Sequence, residues 1–268
     1  MLRQILFNLL AFQLLPLLVS EGASLAGRPV QGGATLEIRF PVAKTFQDLA
    51  AEGGNPRVEI GRAVLTFPLG FDPARHWPIL VVTSTSDFNR TSPMDAEWYR
   101  RPALTEGWVV LASDATVSPR IDSTQWRLAM LAAALETIRK EWPQSVRWPV
   151  AFAGFSGGAK RSALIGAMLA RTGSLKPCGF FLSGINDDRL SEAYKTYRPS
   201  GNFLSVPIWL SSGDADPIAR LTDHERVKAS MERSGFSHVR LETFRGGHQL
   251  KVEEVQRALR WFREVGGF

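Results

Sequence analysis

The chain has 268 residues, of which 44% are hydrophobic and 22% are charged, and it contains no low-complexity tract or internal repeat. This length suits one α/β domain with a sizeable core, and the composition excludes disordered and collagen-like classes. The formal net charge is +6, but the basic residues are scattered rather than gathered with aromatic residues on one face, so we expect no nucleic-acid partner. A net positive charge of this size is compatible with binding to anionic surfaces or substrates.

The first 26 residues have the pattern of a secretory leader. Arg3 lies in a short positive start, residues 5–19 are mostly apolar, and small residues stand at Ser24 and Ala26. The pattern predicts a signal peptide over residues 1–26, cleaved after Ala26, and a single domain over residues 27–268. The alternative is an uncleaved membrane anchor, but the apolar stretch is short for a bilayer span. We therefore expect a secreted or periplasmic protein with no stable membrane association after cleavage.

Strand-like and helix-like segments alternate from Thr35 onward, which predicts an α/β fold: a mostly parallel sheet with helices on both faces. Expected core-facing positions are Trp126, Met130, Ala133, Ala134 and Ile138 in the long central helix, and Val252, Val255, Leu259 and Phe262 in the last helix. The expected strands cover 35–40, 57–67, 78–83, 108–112, 148–153, 178–182, 206–211 and 239–244, and a turn at 53–56 joins the first two. The expected helices cover 96–106, 124 to about 142, 159–171 and 221–234, and a further helix closes the chain. The stretch over 184–205 is expected to be irregular.

The most informative motif runs from Gly154 to Gly158 and places Ser156 between glycines, directly after the predicted strand over 148–153 and before a helix rich in small residues. This setting is typical of a nucleophile elbow, a sharp turn that projects a serine hydroxyl. Side chains two positions before and after the serine would collide with neighbouring backbone, and Gly154 and Gly158 remove them. Ser156 is therefore the candidate nucleophile.

A serine hydroxyl needs a base at neutral pH, and the base needs an orienting acid. Of the four histidines, His248 follows Gly246-Gly247 on the loop between the last strand and the last helix, where glycines can present an imidazole to a cleft. His76, His224 and His238 are instead expected at the surface. His248 is the candidate base.

Two carboxylates, Asp214 and Asp216, follow the predicted strand over 206–211. We favour Asp216 as the acid. Two alternatives stay open: Asp216 could cap a helix that begins at Pro217, and Asp214 could hold the loop by bonding backbone amides. Asp187 or Asp188, after the preceding strand, is a third choice.

The elbow over 154–158, the segment Gly213-Asp214-Ala215-Asp216-Pro217 and the pair Gly247-His248 together resemble the α/β-hydrolase superfamily, in the style of compact carboxylesterases, dienelactone hydrolases and polyhydroxyalkanoate depolymerases. The resemblance covers residues 57–268. It implies that Ser156, Asp216 and His248 meet at the carboxyl ends of a mostly parallel sheet. It further implies a two-step acyl transfer from an ester through an acyl-enzyme.

By the same resemblance, the oxyanion would be bound by the backbone N–H of Gly157 and by a donor from the loop after the strand over 78–83. Many relatives carry His-Gly there, whereas this chain has Thr83-Ser84-Thr85-Ser86-Asp87. Alignment of that loop makes Ser86 the expected backbone donor, with Thr85 as the alternative and a hydroxyl as an additional donor. The competing interpretation is that this loop is an ordinary Ser/Thr turn with no role in catalysis.

The segment over 184–205 is too short for a lid domain, and an open site suits short acyl, carbohydrate or polymer esters. Tyr194, Tyr197 and Phe203 could line an acyl pocket or pack onto the core. Rival hypotheses are a serine oligopeptidase and a non-catalytic binding protein with the same fold.

Cys178 is the only cysteine, so the chain forms no internal disulfide, and we expect this residue to be a buried small hydrophobe. The histidines and the cysteine show no metal-ligand spacing, and the elbow lacks the Lys-Ser/Thr ending of a phosphate-binding loop. We predict no metal and no cofactor.

Overall fold

The computed structural model describes residues 22–85, 90–173, 175–199 and 201–268. The strands are β1 (Ser24–Leu25), β2 (Arg28–Pro29), β3 (Thr35–Pro41), β4 (Ile60–Thr66), β5 (Ile79–Thr83), β6 (Val109–Ala115), β7 (Val150–Phe155), β8 (Pro177–Ser183), β9 (Ile208–Gly213) and β10 (Val239–Phe244). The α-helices are α1 (Lys44–Ala51), α2 (Ser92–Thr105), α3 (Thr124–Glu141), α4 (Gly157–Arg171), α5 (Arg189–Tyr197), α6 (Leu221–Arg233) and α7 (Val252–Gly266).

Eight strands form one sheet in the order β10-β9-β8-β7-β5-β6-β4-β3. β4 runs in the opposite direction to the other seven strands of this sheet, because it pairs antiparallel with both β3 and β6. The remaining pairs, from β6 across to β10, are parallel. The carboxyl ends of β5 to β10 therefore meet along one edge, where open α/β sheets bind ligands. The α/β fold class is confirmed.

The central strands are buried on both faces because helices cover both sides of the sheet. On one face, Leu80, Val110 and Ala151 pack with α2 and α7, and on the other, Val81, Leu111 and Phe152 pack with α3 and α4. All five residues predicted to face the core from α3 are at most 2% exposed. Ser123 begins α3, because its side chain accepts a hydrogen bond from the backbone N–H of Trp126.

The described residues include two α-helices that the sequence pattern did not indicate. The first, α1, occupies the segment between the first two strands of the sheet and has no side-chain cap at its start. The second, α5, lies in the stretch predicted to be irregular and is capped by Asp188, which accepts from the backbone N–H of Ser191 at 3.0 Å. Both are short, of 8 and 9 residues, and helices of this length depend on tertiary packing.

The aromatic residues of the stretch over 184–205 pack inward. Phe203 is 3% exposed, and its ring stacks on Tyr194 and contacts Phe180 and Phe236. Tyr197 is also packed against the core. Of the two interpretations of these aromatics, packing onto the core is confirmed. In α7, Val255, Leu259 and Phe262 are buried as predicted, but Val252 is 39% exposed at the start of the helix.

Most of the predicted leader, residues 1–21, lies outside the described residues. The described part begins with a hairpin of β1 and β2 in which Leu25 pairs with Arg28. Leu25 is fully buried and belongs to the main hydrophobic core. Within the described ranges, the helices are too short or too polar to cross a membrane.

Candidate active site

Ser156 occupies the turn between β7 and α4 with φ 55° and ψ −123°. Few residues other than glycine adopt a positive φ, so this backbone is strained and needs support from its surroundings. The backbone N–H of Ser156 donates to the carbonyl of Ser183 at the end of β8. The strand, the tight turn and the helix together have the form that the sequence motif predicts.

The glycines of the motif allow close approach of backbone segments. A Cβ atom on Gly154 would overlap the backbone of Gly158, and one on Gly158 would overlap the carbonyl oxygen of Thr83. Thr83 also reaches across, donating from its hydroxyl to the carbonyl of Gly158 at 2.8 Å. The start of α4 is thus held against the end of β5, which leads into the expected oxyanion loop.

His248 and Asp216 are brought together from the loops after β10 and β9. Nδ1 of His248 lies 2.7 Å from Oδ2 of Asp216, and the other carboxylate oxygen accepts backbone N–H bonds from Ile218 and Ala219 at 2.8 and 2.9 Å. Burial by itself would raise the pKa of Asp216, but the hydrogen bonds from Ala219, His248 and Ile218 outweigh burial and lower the pKa. The carboxylate is therefore ionised at neutral pH and fixes Nδ1 of the imidazole as its donor.

The competing carboxylates have other partners. Oδ1 of Asp214 accepts from the backbone N–H of Gly246 at 2.9 Å and so ties the β9 loop to the histidine loop. Asp188 caps α5, and Asp187 forms an ion pair with Arg189 at 2.8 Å. Asp216 is thus the carboxylate that the fold places against His248.

The imidazole lies beside the elbow. Its ring centroid is 4.6 Å from that of Phe155, the residue before Ser156, and a Cβ atom on Gly184 would come within 3.1 Å of Cε1 of His248. Gly184 has a φ of +64°. In the described part of the chain, the Ser156 hydroxyl and Nε2 of His248 form no direct hydrogen bond, and such bonds often tighten only when substrate binds.

The backbone of Gly157, the first residue of α4, follows the candidate nucleophile directly. Its Cα faces Thr85, since an added Cβ would overlap the hydroxyl oxygen of Thr85. Ser86, the expected second backbone donor, lies outside the described residues. Thr85 therefore brings the loop after β5 into contact with the elbow.

A buried charged cluster, which the sequence analysis missed, lies behind this loop. Asp122 accepts from Arg127 at 2.7 and 2.9 Å and from Arg161 at 3.1 Å, and all three side chains are at most 6% exposed. Arg127 also donates to the hydroxyl of Ser92, which accepts from the backbone N–H of Ser84. The cluster thus anchors the residue that precedes Thr85. The only signal in the sequence is a charged residue, Arg161, among the small residues of α4.

In the described ranges, the remaining histidines form no hydrogen bond with Ser156, Asp216 or His248. His76 and His238 are exposed, as expected. His224 is fully buried, so its predicted surface position is wrong: Nε2 accepts from the N–H of Ile185 at 3.1 Å, and Nδ1 lies 3.2 Å from the carbonyl of Arg220. Burial lowers the pKa of His224, which keeps it neutral in this structural role.

Cys178 packs partly buried against the α7 side of the sheet, and burial raises the pKa of its thiol. In the described ranges, no group of three or more His, Cys, Asp or Glu side chains has the arrangement of a metal site.

No family model matches the chain, and no curated protein matches its sequence. Solved structures do match its fold. A serine hydrolase without a lid from Xanthomonas campestris has a TM-score of 0.56 at 15% identity, over 88% of this chain and 97% of that one. A hyperthermophilic esterase from the archaeon Pyrobaculum calidifontis has a TM-score of 0.58 at 14% identity, over 88% and 84%. Dipeptidyl peptidase 4 from Porphyromonas gingivalis has a TM-score of 0.57 at 16% identity, over 87% of this chain and 36% of that one.

These identities are low, so the likeness concerns the fold. The topology agrees with it, because the strained serine after β7 and the Asp216–His248 pair lie at the same edge of the sheet. The chain has the α/β-hydrolase fold.

Proposed function

We propose that this protein is a serine hydrolase that cleaves carboxylic esters through Ser156, His248 and Asp216. The observation that carries the proposal is the joint presence of a strained serine elbow and a buried carboxylate 2.7 Å from the imidazole of the neighbouring loop. A structural Asp–His pair alone would not require Ser156 to hold a φ of 55°.

In the proposed reaction, His248 accepts the Ser156 proton at Nε2 as the serine oxygen attacks the ester carbonyl. The carbonyl carbon–oxygen bond to the alcohol then breaks, and the alcohol leaves with the proton from His248. Water adds to the acyl-enzyme with His248 again as base, which releases the acid and restores Ser156. Asp216 holds the imidazole in one tautomer and stabilises the imidazolium.

The tetrahedral oxyanion would be bound by the N–H of Gly157 and by the loop after β5, in which Ser86 is the proposed backbone donor. The contact between Thr85 and Gly157 supports this assignment of the loop, and we propose the Thr85 hydroxyl as an additional donor. Each such donor contributes about 3 kcal/mol to transition-state stabilisation in other hydrolases.

The proposed substrates are esters with short acyl groups. The alcohol part of the ester is a small molecule, a carbohydrate or a polymer. The segment over 184–205 supports this, because its helix and aromatic residues pack against the core rather than form a cover domain. We further propose export by the leader over residues 1–26, which suits extracellular esters. A preference of the purified protein for long-chain over short-chain p-nitrophenyl esters would contradict the substrate proposal.

The decisive experiment is labelling with a fluorophosphonate probe. We expect the wild-type protein to be labelled and Ser156→Ala not to be, with unchanged circular dichroism as the control for folding. Folded wild-type protein that takes no label would instead favour a non-catalytic binding protein.

A peptidase is the second candidate, because the dipeptidyl peptidase above has the same fold over part of its chain. Peptide amides should be compared with esters of the same acyl group. Faster cleavage of the amides would favour the peptidase.

A further inference from the structure

A cavity of about 400 Å³ opens at the carboxyl edge of the sheet, on the β6 side of the elbow. Its basic lining residues are Arg39, Arg62, Arg90 and Arg127, and its acidic ones are Asp114 and Asp122. Thr91, Thr116 and Ser118 also line it. The Thr91 hydroxyl accepts from the backbone N–H of Met94, and the Thr116 hydroxyl donates to the carbonyl of Ile60. None of these residues belongs to the proposed catalytic set.

Three of the charged residues form a row across neighbouring strands. Arg39 of β3 is paired in register with Arg62 of β4, and Arg62 with Asp114 of β6, so the three side chains lie on one face. Arg62 contacts Asp114 at 3.4 Å and Glu37 at 3.8 Å. Its Nε is buried without a hydrogen-bond partner. Within the described residues, Arg39 forms no ion pair, so the row has unused donors.

The acidic groups of the cavity are already engaged. Both oxygens of Asp122 accept from Arg127 and Arg161. Burial raises the pKa of Asp122, but its hydrogen bonds and ion pairs to these two arginines outweigh burial and lower it. Asp114 accepts from Arg62 and from the backbone N–H of Ala115. Arg90 is likewise paired, with Asp95 at 2.8 Å. The donors left over in this cavity are therefore those of Arg39 and the Nε of Arg62, and guanidinium groups suit carboxylates.

A series of aromatic contacts leads from the cavity toward the elbow. The guanidinium of Arg90 lies 4.3 Å from the ring centroid of Trp98, whose ring is 6.4 Å from that of Phe155, which contacts His248. Neighbouring strands are about 4.8 Å apart, so β6 and β4 lie about 10 and 14 Å from the strand that carries Ser156. A substrate that occupies both the elbow and the cavity does so through the alcohol part of the ester, because a short acyl group cannot span that distance.

We propose that this cavity binds carboxylate groups on the alcohol part of the substrate, so that the enzyme removes short acyl groups from an acidic carbohydrate chain. The inference rests on the proposed esterase function and names its substrate class. Ser118, an exposed residue of the cavity wall, offers a hydroxyl to the sugar, and the net charge of +6 favours approach of a polyanion.

The first test measures binding without catalysis. Trigalacturonate is titrated into Ser156→Ala by calorimetry, beside a neutral trisaccharide made by reduction of its carboxyl groups. We expect binding of the acidic trisaccharide only, weakened at least tenfold by adding Arg39→Gln or Arg62→Gln. Arg147→Gln is the matched control, because Arg147 is exposed at the opposite edge of the sheet, before β7.

The inference would be overturned if the acidic trisaccharide bound with equal affinity in the Arg39→Gln and Arg147→Gln backgrounds. It would also be overturned if the acidic trisaccharide did not bind at all, or if the neutral trisaccharide bound equally well. Arg39 is exposed on an edge strand, so its variant tests the cavity even if Arg62→Gln fails to fold.

The second test compares acetate release from acetylated trigalacturonate and from its neutral counterpart. We expect the ratio of the two kcat/KM values to favour the acidic ester at least tenfold and to fall at least fivefold in Arg39→Gln. Fluorophosphonate labelling separates the two proposals. Absence of labelling overturns the esterase function, whereas labelling without a preference for the acidic ester overturns only the cavity assignment.

Discussion

Nδ1 of His248 lies 2.7 Å from Oδ2 of Asp216, although 32 positions separate the two residues in the chain. The contact depends on the parallel pairing of β9 with β10, which brings the two following loops to one edge. It also depends on Gly213, where a Cβ atom would overlap the carbonyl oxygens of Gly246 and Gly247. Close packing of the two loops thus sets the position of the imidazole.

Asp216→Asn is expected to lower kcat for a short-chain ester by about 10⁴-fold, because an amide stabilises the wrong tautomer of the imidazole. Asp214→Asn is the matched control. It weakens the bond to the N–H of Gly246 but leaves the Asp216–His248 contact in place, so its effect on kcat should be much smaller. Steady-state kinetics of both variants checks this. Similar losses in the two would contradict the assignment of Asp216.

Gly154→Ala should prevent formation of the elbow, because its Cβ would overlap the backbone of Gly158. Overpacking of this kind typically costs about 1–3 kcal/mol, and a backbone neighbour cannot move aside as a side chain does. We expect a lower Tm and loss of fluorophosphonate labelling. In a chain that keeps residues 22–26, Gly22→Ala, where an added Cβ meets nothing within 4 Å, should match its parent in both measurements.

Arg161→Met should destabilise the protein by about 3–5 kcal/mol, since it removes one partner from a buried ionic cluster. Urea unfolding measures the change. Arg171→Met, at the exposed end of the same helix, is the control and should change the free energy of unfolding by less than about 0.5 kcal/mol. A small effect of Arg161→Met would show that the cluster does not support the fold.

The free energy of unfolding should depend on pH through the ionisation of Asp122. Its pKa in the folded state is lowered from the ordinary value of 3.8, so the folded state binds this proton less readily than the unfolded state. The stabilisation is therefore fully present above about pH 4 and is lost as pH falls through the folded pKa. Urea unfolding between pH 5 and pH 2.5 should show a steeper loss for the wild type than for Asp122→Asn. Parallel curves would contradict the assigned pKa shift.

A chain that starts at Gly27 should be less stable than one that starts at Gly22, because the shorter chain lacks Leu25, which is fully buried. Burial of a leucine side chain contributes about 1.5–3 kcal/mol. Urea unfolding of the two chains measures the difference, and Leu25→Ala in the longer chain should reproduce most of it. Sequencing the amino terminus of exported protein would then show whether cleavage follows Ala26, as the leader pattern predicts.

The sequence alone predicted most of the sheet and the form of the elbow, since both follow from local chemistry. The strand over 239–244 is reproduced to the residue, because its ends are marked by turn residues. The glycines around Ser156 were informative for a similar reason: a tight turn restricts residue type at fixed positions, so the restriction is visible in the sequence.

The tertiary structure decided what depends on distant neighbours. Short helices such as α1 and α5 are stabilised by packing rather than by their own pattern, so no local signal marked them. The choice between Asp214 and Asp216 depends on which carboxylate the loop after β9 turns toward His248. The two residues are only two positions apart, so the sequence cannot show which of them faces the histidine. The cluster around Asp122 joins residues from α3 and α4 with the loop before α3, and the arginine row crosses three strands. The charges of Arg39, Arg62 and Asp114 meet only because the sheet order places β3, β4 and β6 side by side.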